Sequence, residues 1–465
     1  MVALVSWKRL LRQVFIYWFI GTLLLTIYLG HPQPSHSQSN YPEIRGVWIT
    51  NNDTADFLDQ NKTQQAVNLL ADLNFNTLYP VVWNSGYVLY ESAIAQREGL
   101  QPFNPRGYQG QDALADLITK AHQRGLLVLP WFEFGFMAPP MSELVTNHPR
   151  WFTQRQDGSK TSVTAAGEVA WLNPFHPQVQ QFITDLVMEV VNKYDIDGIQ
   201  FDDHLALPYD FGYDPYTISL YQQETKKAPP QNPQDWGWVR WRANKITAFV
   251  TQLNKTIKTQ KPNILFSLSP ATYRLAYGTY LQDWLDWVRK DLLDEVIVQV
   301  YRTELSSFTE PIQRPEFQEA KAKIPTAVGI LTGLKRKQVT MPLVSEKVQV
   351  AKNNGLGVAF FYYKTLWEVA PEPANQRKEA FRALFATPAP RSLAQKFVPV
   401  PTIPNNPNVP PSKAPRFPPQ SFPKNPIPRD NFPPEPTLDN FPPEPTLEPQ
   451  PSQPTDDNFP PEPTL

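Results

Sequence analysis

Short apolar runs alternate with amphipathic stretches along most of the chain, from residue 44 to residue 385. Strands that are apolar nearly throughout are typical of a parallel sheet covered by helices, because both faces of such strands are buried. The pattern predicts eight strands, at residues 44–50, 76–83, 126–133, 198–202, 264–268, 295–301, 326–330 and 357–362. Between them it predicts helices at residues 62–73, 112–124, 178–193, 239–258, 280–292, 342–353 and 376–385.

This order predicts an α/β fold, a (β/α)8 TIM barrel with long βα loops over residues 40–386. A doubly wound open sheet would show the same alternation. The strand count and the lack of a Gly-rich phosphate loop after the first strand favour the barrel. Three connections that follow strands are long, namely residues 84–111, 134–173 and 204–235. Barrel enzymes build their active sites from such loops, so we expect the functional site at that end.

The N-terminus has the pattern of an export signal. Lys8, Arg9 and Arg12 precede an apolar run at residues 14–29, which is short for a membrane-spanning helix. We predict that residues 1–37 form a cleaved signal peptide, with an uncleaved membrane anchor as the alternative. Either one places the body outside the cytoplasm, as a periplasmic, secreted or anchored protein. This segment would then be the only contact with a membrane.

The C-terminal region has a different composition, since 26 of the 51 prolines follow Phe385. The nonapeptide Asp-Asn-Phe-Pro-Pro-Glu-Pro-Thr-Leu occurs three times, beginning at Asp430, Asp439 and Asp457. Such a sequence has too little apolar surface to form a core, and proline favours extended conformations. We therefore predict a disordered Pro-rich tail at residues 387–465 that acts as a spacer or a wall-penetrating segment, with recognition of the repeats by a partner as the alternative.

Charge and composition exclude several classes of function. The net charge of −1 provides no basic surface for nucleic acid. The chain has no cysteine, which excludes disulfides, thiolate nucleophiles and zinc–sulfur sites. Aromatic residues reach 12%, with 13 tryptophans, and such rings can line a sugar-binding cleft as well as a core. We expect neither a cofactor nor a metal.

Adjacent acids end the fourth predicted strand, in the segment Asp197-Gly198-Ile199-Gln200-Phe201-Asp202-Asp203-His204. Strand side chains alternate, so Asp202 and Asp203 face opposite sides. They could serve as a helix cap or order a loop. Two acids at a barrel mouth are nevertheless costly unless a reaction uses them, which favours catalysis.

Glu133 ends the preceding strand, and neighbouring strands lie about 4.8 Å apart. The Glu133 and Asp202 carboxyls are therefore expected roughly 5–6 Å from each other, near the spacing of retaining glycosidases, about 5–5.5 Å. We predict Asp202 as nucleophile or base and Glu133 as acid, with Asp203 as the second candidate for the acid. A structural pair between Glu133 and an arginine is the alternative.

Other residues are expected to support the site. Trp83 and Trp131 are candidates for stacking on sugar rings, and His204 for contacting substrate. Glu304 follows another strand and is a reserve candidate for the proton donor, while Asp53 is expected to orient substrate.

The chain resembles glycosyl-hydrolase-like family 10 over most of residues 43–385. The resemblance is carried by Arg45-Gly46-Val47-Trp48, His148-Pro149 with Trp151, Trp171-Leu172-Asn173-Pro174, the Asp197–His204 segment, Ser267-Leu268-Ser269-Pro270 and Gln299-Val300-Tyr301. It implies a barrel that hydrolyses glycosides, with bacterial cell-wall glycan as the substrate class. The implied site comprises Asp202, Asp203, Trp48, Asn173 and Tyr301. The family usually has Tyr at the position of His204, and often Asn-Pro at Glu133-Phe134.

We therefore expect a glycoside hydrolase acting on an extracytoplasmic polysaccharide, with a peptidoglycan glycan strand as the suspected partner. One alternative is a metal-dependent polysaccharide deacetylase that uses Asp202, Asp203 and His204 as ligands. The chain has six histidines and no His-x-His pair, so other ligands would come from separate loops. A second alternative is a glycan-binding barrel without catalysis. A serine hydrolase is disfavoured, since no Gly-x-Ser-x-Gly motif occurs.

Overall fold

A computed structural model describes residues 43–100, 112–164, 167–334 and 337–391 of the protein. The predicted export segment and the three tail repeats lie outside these residues, and both predictions remain open. Within the described ranges, no helix is both long and apolar enough to cross a membrane.

Parallel strands occupy all eight predicted positions. They are β1 (Arg45–Ile49), β2 (Thr77–Pro80), β3 (Leu127–Val128 and Trp131–Phe132), β4 (Gly198–Asp202), β5 (Leu265–Ser269), β6 (Glu295–Gln299), β7 (Thr326–Leu331) and β8 (Gly357–Phe361). β3 is in two parts because Leu129 and Pro130 separate its paired residues, and proline has no N–H to donate to a ladder. Side chains along these strands are buried nearly throughout, as expected for a covered parallel sheet.

The sheet curls into a ring that closes through β3. The first part of β3 pairs with β2, and its second part pairs with β4. The other neighbours follow chain order, from β4 to β8, and β8 pairs with β1. The predicted (β/α)8 barrel is confirmed.

Eight helices alternate with the strands and cover the barrel: α1 (Gln60–Asp72), α2 (Ala113–Gln123), α3 (Pro177–Lys193), α4 (Trp236–Gln260), α5 (Trp284–Arg289), α6 (Pro315–Lys323), α7 (Met341–Asn353) and α8 (Ala374–Leu384). Aspartate side chains cap the first turns of α1, α2 and α4 by accepting backbone N–H groups. For the predicted helix at residues 280–292, the predicted first residue is wrong. The structure has a helix at Tyr273–Tyr280, a left-handed Leu281 with φ of 54°, and then α5.

The connections that follow the strands carry additional short elements. The helices among them are Thr54–Phe57, Ala93–Arg97, Glu143–Asn147, Pro215–Thr225, Tyr273–Tyr280, Leu305–Ile312 and Tyr363–Trp367, with 3-10 turns at Asn51–Asp53 and Pro149–Trp151. The short strands are Trp83–Asn84 with Tyr87–Val88, Met137–Ala138 with Thr161–Thr164 and Gly167–Trp171, and Gly333–Leu334 with Lys337–Gln338. We call this end of the barrel the mouth and the opposite end the floor.

Hydrogen-bonded polar side chains run through the barrel interior. Trp48 Nε1 donates to Gln200 Oε1 at 2.6 Å, and Gln200 Nε2 donates to Ser267 Oγ at 2.9 Å. Ser267 Oγ then donates to Glu295 Oε1 at 2.8 Å. At the floor, the fully buried Glu295 forms an ion pair with Arg391. We call this chain of side chains the interior column.

The residues that follow α8 are held against the floor. Asn74 and Asn76 side chains donate to the carbonyls of Phe385 and Ala389, at 2.7 and 2.8 Å. Arg45 donates to the Thr387 carbonyl at 2.6 Å. Residues 387–391, which the sequence alone assigns to the tail, therefore close the floor of the barrel.

Candidate active site

Asp202 and Asp203 end β4 and occupy different environments. Asp202 is buried, and both of its carboxylate oxygens have partners. Oδ2 accepts from Trp131 Nε1 at 3.2 Å, and Oδ1 accepts from the His204 backbone N–H at 2.9 Å. His204 Nδ1 also lies 3.0 Å from Oδ1. In this conformation, Asp202 is therefore covered by the protein's own groups.

Asp203 lies beside an open hollow at the mouth. Its side chain is 25% exposed, and its Oδ1 accepts from Gln299 Nε2 at 2.9 Å. The hollow measures about 410 Å³, including space open to solvent. Its lining residues are Asp203, Ala271, Thr272, Leu275, Tyr280, Gln299, Tyr301 and Arg302. Asp203 is the acid that can contact a ligand there.

Glu133 follows β3 and is partly buried. The Asn84 amide donates to its carboxyl. Burial raises the pKa of Glu133 to about 8, the nearby charge of Asp202 adds to the rise, and the hydrogen bond from Asn84 opposes it. Glu133 is thus protonated at neutral pH, as a proton donor must be.

The charges of Asp202 and His204 depend on each other. Burial raises the pKa of Asp202 to about 6, while His204 opposes this rise. Burial alone would lower the pKa of His204, but the charges of Asp202 and Asp203 raise it to about 10. These directions favour a charged His204 beside an ionised Asp202, and a protonated Glu133, at neutral pH.

Trp48, Trp131 and Tyr301, all predicted to bind substrate, are buried near these acids. The Trp48 and Trp131 rings lie 6.3 Å apart, and the Trp131 indole N–H binds Asp202. Tyr301 lines the hollow, and burial with the charge of Asp203 raises its pKa well above the ordinary value. These aromatic groups therefore surround the acids.

Trp83 and Asn173 have other partners. Trp83 is fully buried, and its indole N–H donates to the Gly135 carbonyl at 3.1 Å. Asn173 donates to Asp214 Oδ1 at 3.0 Å and to Thr217 Oγ1 at 2.9 Å. Both residues hold loops at the mouth, and the structure offers no support for direct sugar contact by either one.

Glu304 and Asp53 differ from the central acids. Glu304 is exposed and precedes the Leu305–Ile312 helix. Asp53 is fully buried and accepts from the backbone N–H groups of Thr50 and Lys364, at 2.7 and 2.9 Å. Burial raises the pKa of Asp53 to about 7. Its bonds join the loops after β1 and β8, which is a structural role.

Three amides at the site were not assigned from the sequence. Asn84 binds Glu133, Gln299 binds Asp203, and the buried Gln282 donates to the Asp202 carbonyl at 2.9 Å. Gln299 ends β6, and Asn84 lies just beyond β2, so the position at a strand end was the available signal. Gln282 had no such signal.

Among the residues that the structure describes, the acids and histidines that could together hold a metal ion are Asp202, Asp203 and His204, whose ligand atoms lie within 4.8 Å of one another. His204 Nδ1, however, lies 2.8 Å from the Glu133 carbonyl, which can only accept a hydrogen bond. Nδ1 therefore carries hydrogen and cannot ligate an ion. With His204 cationic as well, this arrangement fits an ion pair better than a metal site.

The fold and the acids at its mouth define a glycoside-hydrolase-like (β/α)8 barrel. The chain belongs to the glycosyl hydrolase-like 10 family, whose sequence profile matches residues 43–351. The family resemblance seen in the sequence is confirmed.

Named relatives agree with this family. The chain is 28% identical over 293 residues to glycosyl hydrolase DigH of Escherichia coli K12, covering 57% of this chain and 63% of DigH. It is 24% identical over 325 residues to glycosyl hydrolase YngK of Bacillus subtilis 168, covering 63% of this chain and 60% of YngK. The match thus spans less than two thirds of either relative.

Solved structures share the fold. The glycoside hydrolase domain of PgaB (BpsB) from Bordetella bronchiseptica aligns with a TM-score of 0.54 and 14% identity, over 69% of this chain and 94% of that domain. Alpha-L-fucosidase isoenzyme 2 from Paenibacillus thiaminolyticus aligns with a TM-score of 0.52 and 14% identity, over 74% of this chain and 49% of the fucosidase. At this identity, the likeness concerns the fold alone.

Proposed function

We propose that the protein hydrolyses O-glycosidic bonds in a polysaccharide. The observation that carries this proposal is the position of Glu133 at the barrel mouth, next to the aspartates at the end of β4, where burial and the charge of Asp202 raise its pKa. Glycoside hydrolysis needs one protonated and one ionised carboxyl at the scissile bond. Family membership supports the same reaction class.

In the proposed reaction, Glu133 gives its proton to the glycosidic oxygen as the bond to the anomeric carbon breaks. An ionised aspartate either attacks that carbon or takes a proton from an attacking water. Asp203 lines the hollow and is the aspartate placed to contact the sugar in this conformation. Asp202, the candidate from the sequence, is covered and needs a side-chain movement to do so.

Rescue experiments distinguish the two aspartates. If one is a nucleophile, its replacement by alanine leaves space for azide, which restores turnover and gives a glycosyl azide. We expect rescue for Asp203→Ala and none for Asp202→Ala. Rescue of Asp202→Ala alone would assign the role of nucleophile to Asp202. If neither is rescued and the product anomer is inverted, the aspartate acts as a base.

We propose a bacterial cell-wall glycan as the substrate, and an extracytoplasmic location. The family resemblance and the predicted export segment at residues 1–37 support both. The test is product analysis after incubation of the full chain with purified peptidoglycan glycan strands, with and without stem peptides. We expect shortened strands from wild type and a strongly reduced amount from Glu133→Gln. Binding without cleavage would instead indicate a glycan-binding barrel, and loss of activity on chelation a metal-dependent enzyme.

A further inference from the structure

One exposed and two partly buried aromatic rings lie on the rim of the mouth. Trp236 is the first residue of α4 and is 63% exposed. Its ring lies 6.0 Å from that of Tyr277, which is stacked at 6.0 Å on Tyr273. We call Trp236, Tyr277 and Tyr273 the rim platform. Tryptophan and tyrosine are enriched at binding interfaces, so an exposed tryptophan that adjoins further rings is a candidate binding surface.

The rim platform is continuous with the hollow. Tyr273, Tyr277 and Tyr280 belong to one helix at spacings of four and three residues, which places them on one face. Tyr280 lines the hollow, and burial with the charge of Asp203 raises its pKa to about 12. One stripe of rings therefore leads from the candidate catalytic acids to the exposed Trp236.

The helix that carries the two platform tyrosines is joined to the loop that follows Asp203. The backbone N–H groups of Leu207 and Tyr209, in this loop after β4, donate to the carbonyls of Tyr280 and Thr279, at 3.0 and 2.8 Å. These bonds connect the tyrosine part of the platform to the chain segment that leads from the hollow.

We propose that the rim platform binds sugar units of the polysaccharide beyond those at the scissile bond; this inference rests on the proposed function. The apolar face of a pyranose matches one aromatic ring, so a row of rings suits a row of sugars. A protein partner would need about 20–30 residues on each side. The platform is much smaller than that.

The test measures how affinity depends on strand length. The affinity is measured for full-length protein carrying Glu133→Gln, with peptide-free glycan strands that were released from peptidoglycan and sorted by length. The measured quantity is the ratio of the affinity for long strands to the affinity for the disaccharide. Addition of Trp236→Ala should lower this ratio by about tenfold. Trp236→Phe, which keeps a ring, should recover most of this ratio. Tyr216→Ala is the matched control, because Tyr216 is an exposed aromatic that contacts His176 instead.

The outcomes distinguish failure of the rim-platform proposal from failure of the proposed hydrolysis. A wild-type ratio in Trp236→Ala, or the same loss in Tyr216→Ala, would overturn the rim platform, and strand cleavage by the unaltered enzyme would still stand. Equal affinity for long strands and disaccharide before Trp236 is changed would overturn it as well. If no strand binds or is cleaved, the proposed substrate fails, and the platform fails with it.

Discussion

The barrel buries acids at both ends but compensates them differently. At the floor, Glu295 is paired with the Arg391 guanidinium and accepts from Ser267 and Tyr79, at 2.8 and 3.0 Å. At the mouth, burial raises the pKa of both Glu133 and Asp202, the charge of Asp202 adds to the rise at Glu133, the charge of Asp203 adds to the rise at Asp202, and His204 lowers both pKa values.

The acids at the floor and at the mouth are expected to have different roles, in stability and in function respectively. A buried acid that is paired with a cation depends on that cation, and removal of the cation destabilises the folded protein because the acid is left as an uncompensated buried charge. Acids that raise one another's pKa are typical of sites where protons are transferred. The comparison predicts that changes at the mouth affect turnover, and changes at the floor affect folding.

The largest expected effect is on turnover. Glu133→Gln removes the proton donor and should lower kcat by about 10²–10⁴-fold, because general acid catalysis contributes that much. Asp202→Asn should also lower kcat by orders of magnitude, since it removes the counter-charge of His204. Initial rates on glycan strands measure both, with circular dichroism as the folding control. Near-normal turnover in either variant would contradict its role.

At the floor, Arg391→Met should lower the free energy of unfolding by about 3–5 kcal/mol, because it leaves Glu295 buried without its cation. Urea unfolding measures this loss. The double variant Glu295→Gln with Arg391→Met should recover a large part of it, since no buried charge then remains. A tail truncation after residue 398 keeps Arg391 and serves as the control. Equal loss in the truncated chain would contradict the distinction.

The pH dependence of kcat/KM should be bell-shaped. Activity needs a protonated Glu133 and an ionised Asp202 as the counter-charge of His204, so it should rise through about pH 6 and fall through about pH 8. Glu133→Gln should lose the alkaline limb of the profile. An alkaline limb that persists in this variant would assign the proton to another group.

Folding stability should also depend on pH through Glu133. The pKa of Glu133 is raised from 4.5 to about 8 by folding, so its contribution is fully present below 4.5 and is lost as pH rises through 8. Wild type should therefore lose more stability than Glu133→Gln between these values. Melting temperatures across this range measure the difference, and parallel curves would contradict it.

The sequence was sufficient for the barrel and for the position of the acids, because both follow from local patterns. Apolar runs predicted all eight strands, and the strand ends placed Asp202, Asp203 and Glu133 at one edge. The pattern could not show which side chains have internal partners. Trp83, for example, binds a carbonyl in another loop.

Contacts between distant parts of the chain could not be predicted from the sequence either. Arg391 reaches Glu295 from beyond the last helix, and nothing near Arg391 in the sequence distinguishes it from the tail. The break at Leu281 depends on a left-handed backbone that helical periodicity does not reveal. Gln282, just after this break, then reaches the Asp202 carbonyl.

The proposed reaction requires that Glu133 holds its proton at neutral pH. Infrared difference spectra between wild type and Glu133→Gln, with ¹³C-labelled glutamate, observe the carboxyl directly. We predict a protonated carboxyl band that is present at pH 7 and titrates with a pKa of about 8. A carboxylate band already complete at pH 6 would contradict the account.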